Sequence, residues 1–413
     1  MKVFTFSFND TKGGAAISAY RLHTILKNSG IDIKMFVARK FTNDESVIGP
    51  KNILNKLTQL AKQKICQVFI YIFFNKEKIF ISPSLFHSYW HKFINKSNVD
   101  IVHLHWINLE FFSIKDISKI KKPIIWTLHD MWAFSGSQHL VYDNSYASEY
   151  KFNIFSSRIS KLDYFVWKRK INYFKSNMVI VAPSNWLASS VKQSLIFKTN
   201  PVFVIPNPID IDSWHLLDKN VERLKYGFAS DERLILFSCS EPLNNFNKGF
   251  DLLLESLSLI NSNYKFKLVV IGHTKPNREE YSNNIIFLGK INSQLVLNSI
   301  YRSIDFTILP SRQENLSNVA IESMLNERPV IAYNCTGNPD IIVNNYNGLL
   351  VEPYSTIKLA LAIENLFQDK NLLSKFSNNA RLFILENFDS KIITDKYTSL
   401  YKSLLKHEIL RTK

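Results

Sequence analysis

The sequence predicts an α/β protein made of two Rossmann-like domains, and three observations carry that prediction. At 413 residues the chain exceeds the size, roughly 250–300 residues, at which one hydrophobic core stops growing. Short apolar runs fit for buried parallel strands alternate with helical patterns through both halves. Between the halves stands Pro206-Asn207-Pro208, a stiff, turn-prone phrase that reads as a hinge. The domains expected are residues 1–205 and 206–388, followed by a basic helix over 389–413.

Taken in order, residues 2–8 alternate like a first strand, and Asn9-Asp10-Thr11-Lys12-Gly13-Gly14 leads from it into a helix. Ala15, Ala19, Leu22 and Leu26 keep helical spacing, and Gly30 is a natural stop before the strand 31–37, completing one β-α-β unit. Gly13 and Gly14 allow backbone to approach an anion closely. A Gly-Gly pair serves equally as a plain turn, and neither Gly-x-Gly-x-x-Gly nor Walker A is present. Residues 99–106 and 123–130 are strands with histidine at the carboxyl edge, His103-Leu104-His105-Trp106 and His129-Asp130. One such histidine is usually structural, whereas two strand ends together make a polar rim. Further strands are expected at 179–184 and 202–205. Asp210-Ile211-Asp212 spells a metal-binding Asp-x-Asp but follows the hinge instead of ending a strand, so it reads as chance.

Two segments of the first half are basic and amphipathic. Residues 52–81 set Lys56, Lys62, Lys64, Lys76 and Lys78 around the apolar run 65–74. Residues 152–175 interleave Arg158, Lys161, Lys168, Arg169, Lys170 and Lys175 with Phe155, Tyr164, Phe165, Trp167 and Tyr173. Such helices pack on a core or lie on a membrane surface, cations toward anionic headgroups.

The second half opens with the strand 233–238, passes through Asn247-Lys248-Gly249 into a helix at 252–260, and continues with strands at 267–271, 285–288, 304–309 and 329–333. After 304–309 comes Pro310-Ser311-Arg312-Gln313-Glu314-Asn315-Leu316-Ser317-Asn318, then a helix carrying Glu322. Asn315, Ser317 and Asn318 are helix-capping types. Ligands in open α/β sheets bind beyond the carboxyl ends of strands, where free helix N–H groups favour phosphate. Lys248 at a helix entrance adds a point charge for a diphosphate, or is simply solvated.

Glu314 and Glu322 with seven residues between them, then Pro329-Val330-Ile331, Thr336-Gly337 and Asn347-Gly348-Leu349-Leu350-Val351, form an ordered phrase. It resembles the retaining glycosyltransferases of family 4, whose fold (GT-B) sets two Rossmann-like domains face to face with the active site in the cleft. The histidine strand ends and the Met-Trp-Ala-Phe-Ser-Gly stretch, residues 131–136, are similar to a bacterial surface-polysaccharide branch. Members of that branch carry cysteines just beyond it; none stands here, so no role of such residues carries over. The resemblance implies that Glu322 accepts from the donor ribose, Glu314 holds the donor sugar, and Lys248 with the N–H groups near Leu316 and Ser317 balances charge on the leaving diphosphate. Asn315 and Asn318 fall in the same donor-binding phrase, Gly13 and Gly14 face the donor phosphates or the acceptor, and His129 and Asp130 contact the sugar or incoming hydroxyl. It implies no metal and no cofactor beyond the nucleotide sugar. Family members place an arginine where this chain has Pro242, leaving fewer cations for the diphosphate. A nucleotide-sugar epimerase uses the same fold; a phosphorylase needs a pyridoxal lysine for which no motif is seen.

Charge and cysteines narrow the remaining choices. Residues 1–200 hold 28 Lys and Arg against 12 Asp and Glu, and residues 201–413 hold 23 of each. The net charge of +16 therefore belongs to the first half, as for a surface apposed to anionic lipid or phosphorylated substrate. A nucleic-acid binder is the rival, but no nucleic-acid motif is present and the second half is neutral. Cys66, Cys239 and Cys335 lie far apart without metal-ligand spacing. The longest apolar run, residues 68–74, is too short for a bilayer, which needs about 20, and no signal-peptide pattern opens the sequence. The expectation is a cytoplasmic protein, peripheral on the inner face of the membrane, acting on a glycan or lipid-linked glycan acceptor.

Overall fold

The computed structural model describes residues 1–74, 80–153, 156–175, 177–239, 245–272 and 284–406. Lys76, Lys78, Phe155, Pro242 and the end of the 389–413 segment lie outside these. The chain divides into two compact units, Met1–Pro208 with Ser390–Lys413, and Ile209–Asp389.

In the first unit the described strands are β1 (Lys2–Asn9), β2 (Asp32–Arg39), β3 (Val47–Ile48), β4 (Ile101–Leu104), β5 (Ile124–Thr127), β6 (Val179–Ala182) and β7 (Val202–Val204). They form one parallel sheet in the order β3-β2-β1-β4-β5-β6-β7. The helices are α1 (Gly14–Asn28), α2 (Ile53–Phe74), α3 (Trp90–Lys96), α4 (Ile114–Ser118), α5 (Arg158–Tyr173) and α6 (Asn185–Gln193). Strand periodicity of two assigns the faces. Val3, Ile101, Ile125, Val179 and Val181 share a core with Leu22 and Leu26 of α1, while Phe4, Phe6, Val102, Leu104 and Trp126 join the opposite core.

The second unit contains α7 (Lys219–Lys225), β8 (Arg233–Ser238), α8 (Phe250–Ser258), β9 (Phe266–Ile271), β10 (Ile285–Phe287), α9 (Gln294–Ser303), β11 (Phe306–Leu309), α10 (Asn318–Leu325), β12 (Val330–Tyr333), β13 (Gly348–Val351), α11 (Thr356–Gln368) and α12 (Lys370–Asn387). Its parallel sheet runs β10-β9-β8-β11-β12-β13. Both sheets are therefore doubly wound, with the chain reversing direction between β1 and β4 in one and between β8 and β11 in the other.

The final helix, α13 (Ser390–Leu405), belongs to the first unit. Ile393, Tyr397, Leu400, Tyr401 and Leu404 pack into the α1 face of the sheet, and each large side chain so buried contributes roughly 1.5–3 kcal/mol. The contact is also polar: the Tyr401 hydroxyl meets His103 Nδ1 at 2.7 Å, and the Tyr397 hydroxyl meets Thr127 Oγ1 at 2.9 Å.

One expectation needs correction. In the basic stretch of α5, Lys170 points inward and is fully buried, because its ammonium donates to the carbonyls of Trp132, Ser135 (3.3 Å) and Gly136 (2.7 Å) and lies 3.8 Å from the Trp132 ring. Arg169 likewise turns in, donating to the carbonyls of Pro83 and Ser84 at 3.0 and 3.1 Å. Neither faces a surface ligand. Cys66 and Cys239 are buried, but Cys335 is only half-buried.

Candidate active site

The switch point of the second sheet lies between the carboxyl ends of β8 and β11, and the loops leaving these strands meet there. Asn247 ties them: the Arg312 amide donates to its carbonyl at 2.7 Å, the Gln313 amide to its Oδ1 at 3.0 Å, and its own Nδ2 to the Gln313 carbonyl at 2.8 Å. Gly249 follows with φ 68°, and a Cβ there would stand 1.9 Å from the Pro310 carbonyl oxygen. Only glycine combines that left-handed backbone with so close an approach. Lys248 is thereby aimed across the switch point, and its Nζ donates to Glu314 Oε2 at 2.6 Å. Burial lowers the pKa of this ammonium, Glu314 raises it by more, and the net shift is upward. Lys248 is a fixed cation.

Glu314 is held from the other side by the loop after β12. Its amide donates to Thr336 Oγ1 at 2.9 Å, and its carbonyl accepts from the Gly337 amide at 2.8 Å. A Cβ on Gly337 would fall 1.6 Å from the Asn315 carbonyl oxygen, so Thr336-Gly337 is a close-fitting backing for Glu314 and Asn315. Ser317 caps α10, its Oγ accepting from the Ala320 amide at 3.3 Å. Asn318 is the first residue of α10 and Leu316 precedes the cap, so the amino end of the helix opens beside Glu314. One turn on, Glu322 is buried, and Tyr301 of α9 donates its hydroxyl to Oε2 at 3.3 Å. Arg312, one more cation in this loop, is committed elsewhere: it forks onto Asp251 at 2.9 and 2.5 Å and stacks 3.6 Å from the Phe246 ring centroid.

In the first unit the carboxyl ends of β4 and β5 form a histidine and tryptophan rim. His105 Nδ1 and His129 Nε2 share a hydrogen bond at 3.1 Å. Burial drives His105 well below the ordinary histidine range. His129 is pushed down to about 4 by burial, against the upward pull of Asp130. Both rings are neutral near pH 7. Asp130 accepts from the Trp132 amide at 2.9 Å and from Trp106 Nε1 at 2.7 Å, and pairs with His139 Nδ1 at 2.6 Å. Burial raises its carboxyl, but His139 and these donors lower it further, so it stays ionised. Asp130 is thereby a hub that orients Trp106, Trp132 and His139. His105, Trp106, His129 and Asp130 also line a small pocket. Gly13 caps α1 at φ 96°, and beyond its own chain neighbours no atom lies within 4 Å of where its Cβ would be. The loop around it is pinned by buried Asp10, which accepts from the Phe41 and Thr42 amides at 2.8 and 2.9 Å. Gly14 begins the helix.

Sequence reasoning passed over Asn247, Thr336, Tyr301, Asp10 and His139 as working parts. Asn247 and Thr336 stand beside singled-out residues and were legible as neighbours. Tyr301, Asp10 and His139 meet their partners only through tertiary structure.

Two family models match the chain, one on each unit: Glycosyltransferase Family 4 over residues 12–213 and Glycosyl transferases group 1 over residues 218–383. Over 238 residues the chain is 28% identical to the capsular polysaccharide biosynthesis glycosyltransferase CapM of Staphylococcus aureus, covering 55% of this chain and 62% of that protein, a little under two thirds of its length. Among solved structures, sucrose-phosphate synthase from Thermosynechococcus elongatus superposes with a TM-score of 0.72 at 16% identity, covering 98% of this chain and 99% of that one. HepE of Anabaena, solved in complex with UDP and glucose, gives 0.66 at 15% identity, covering 98% and 100%. At these identities the structural likeness is one of fold, and that fold is GT-B. With one model on each unit, the chain carries a family 4 domain and a group 1 domain of glycosyltransferases.

Proposed function

We propose that the protein is a retaining, metal-independent glycosyltransferase that moves a hexosyl group from a nucleotide sugar to a glycan or lipid-linked glycan in surface polysaccharide synthesis. The observation that carries this reading is the Lys248–Glu314 pair at the switch point of the second sheet, 2.6 Å apart, with Glu322 on the helix that opens beside it. A donor diphosphate entering this corner would take the Lys248 ammonium and the N–H groups near Leu316 and Ser317 as its counter-charge. Preorganised charge of this kind lowers the barrier where a leaving group becomes more negative. Glu314, released from full pairing with Lys248, would hold the sugar's hydroxyls, and Glu322 the ribose. For the first unit, the reading assigns His129 and Asp130 to the sugar or the incoming hydroxyl. That HepE holds UDP and glucose, and that CapM serves capsule synthesis, support the donor class and the setting. The basic first half supports work at the cytoplasmic face of an anionic membrane.

Incubation with a panel of nucleotide sugars tests the reading. Release of free nucleotide, undiminished in EDTA, is the expected result, with the donor's anomeric configuration kept in the product by NMR. An inverted product, or activity abolished by EDTA and restored by manganese, overturns the corresponding part.

A further inference from the structure

Helix α2 is amphipathic in the wrong sense for a helix on a globular core. Its inward residues are polar or small: Gln63 and Cys66 are the buried ones. Leu54, Leu57, Ala61, Ile65, Val68 and Ile72 follow one another at intervals of three and four, which puts them on a single stripe. That stripe faces outward, with Leu54 67% exposed, Ile65 56% and Ile72 62%. At about 100° per residue, Lys64 lies about 60° to one side of the stripe's centre and Lys62 about 100° to the other; Lys64 is exposed, while the Lys62 ammonium donates to the His87 carbonyl at 2.6 Å. Monomeric proteins seldom leave so continuous an apolar face to water. The described residues contain no helix long and apolar enough to cross a membrane.

We infer that α2 lies in the surface of an anionic bilayer, its stripe among the acyl chains and the exposed Lys64 at the headgroups, and that the acceptor is therefore lipid-linked. Charge selects the occupant: the exposed Lys64 flanks the stripe, and the surplus of cations sits in the same half of the chain, the pattern that favours anionic lipid over a neutral apolar partner. The helix is about 33 Å long at 1.5 Å per residue, enough to lie along the interface and immerse several turns. Its inner side is tied to the carboxyl edge of the first sheet. Arg39, which ends β2, donates to Gln63 Oε1 at 2.7 Å, Gln59 Nε2 donates to the Leu109 carbonyl at 3.3 Å, and Cys66 Sγ donates to Glu110 Oε1 at 3.4 Å. Leu109 and Glu110 belong to the loop leaving β4. Immersing α2 thus brings the loops after β2 and β4, where a doubly wound sheet takes ligands, against the membrane. A glycan anchored by a lipid is delivered to that edge, whereas a freely soluble one gains nothing from it. The acceptor class rests on the transferase reading; the bilayer contact does not.

Co-sedimentation of the full chain with phosphatidylcholine vesicles, with and without phosphatidylglycerol, tests the contact. Binding to the anionic vesicles is expected, and Ile65→Asp/Ile72→Asp should abolish it, each immersed isoleucine being worth about tenfold or more in partitioning. Circular dichroism and thermal melting of that variant should match the wild type, since both side chains face water. Equal vesicle binding by variant and wild type overturns the proposal, as does a wild-type dimer that the double substitution splits, which would make the stripe a self-association face. For the acceptor, membranes of the source organism are incubated with labelled donor. Label extractable into organic solvent is expected, and label confined to water-soluble product, or none extracted, overturns the lipid-linked class while leaving the vesicle result standing.

Discussion

Lys248 and Glu314 face each other at 2.6 Å across the two loops that flank the switch point of the second sheet, so one group cannot be changed without unpairing the other. Lys248→Ala should lower kcat/KM by roughly 100- to 1,000-fold, the scale of one preorganised electrostatic group, and Lys248→Arg should recover part of it. Steady-state kinetics with the true donor measures both; unaltered kcat/KM in Lys248→Ala removes Lys248 from the mechanism.

The two glutamates should fail differently. Glu322 is buried with one oxygen taken by Tyr301, a setting for a fixed contact to an unreacting ribose. Glu322→Ala should weaken donor nucleotide affinity by about tenfold or more, the worth of a hydrogen bond to a charged group, with kcat changed far less. Glu314→Ala should mainly lower kcat. Calorimetric titration with the nucleotide beside kinetics separates them, and wild-type affinity in Glu322→Ala would refute the ribose assignment.

His105 spends its Nδ1 on His129 Nε2, which holds the His129 ring in the lining of the pocket and makes His105 a positioning residue. His105→Phe should reduce kcat/KM about tenfold, the cost of a lost buried hydrogen bond, without altering nucleotide affinity, and His105→Gln should restore much of the loss. An equal loss in both variants would mean that His105 acts through packing alone.

Lys170 is a core residue despite its charge. Lys170→Glu sets a carboxylate against three carbonyl oxygens and should cost about 3–5 kcal/mol, as breaking buried charge contacts does. Lys168→Glu, one turn from Tyr164 on the exposed side, should stay within about 0.5 kcal/mol. Thermal melting of the pair decides, and equal midpoints would contradict the inward placement.

Acid should loosen the first unit before the carboxylates titrate. His103 is fully buried and pushed down to about 3, first by burial and then by His129, and His129 is pushed down to about 4. An unfolded chain binds these protons near pH 6.5 and the folded one only far below, so unfolding is favoured as pH falls through that interval. The stability lost between pH 7 and 4 should be on the order of a few kcal/mol. Denaturant titrations at both values check it, and a flat profile above pH 5 would contradict the buried neutral histidines.

The sequence by itself determined the two doubly wound sheets and the donor phrase. Buried parallel strands must be apolar on both faces, so runs such as 179–182 and 330–333 announce themselves. Gly249 and Gly337 stand where backbone presses on backbone, and Lys248, Glu314 and Ser317 stand at strand and helix ends where local chemistry alone puts functional groups. Tertiary structure decided which way the mixed helices turn. In α2 and α5 apolar and basic residues are interleaved, and composition cannot tell a lysine that snorkels to lipid from one that spans to a carbonyl. Lys170 turned inward because the loop after β5 offers it three carbonyl oxygens, and the stripe from Leu54 to Ile72 turned outward because Arg39, Leu109 and Glu110 gave the polar side of α2 its partners. Those partners lie 24 to 50 positions away in the chain. Such pairings exist only once the sheet has brought its carboxyl ends together.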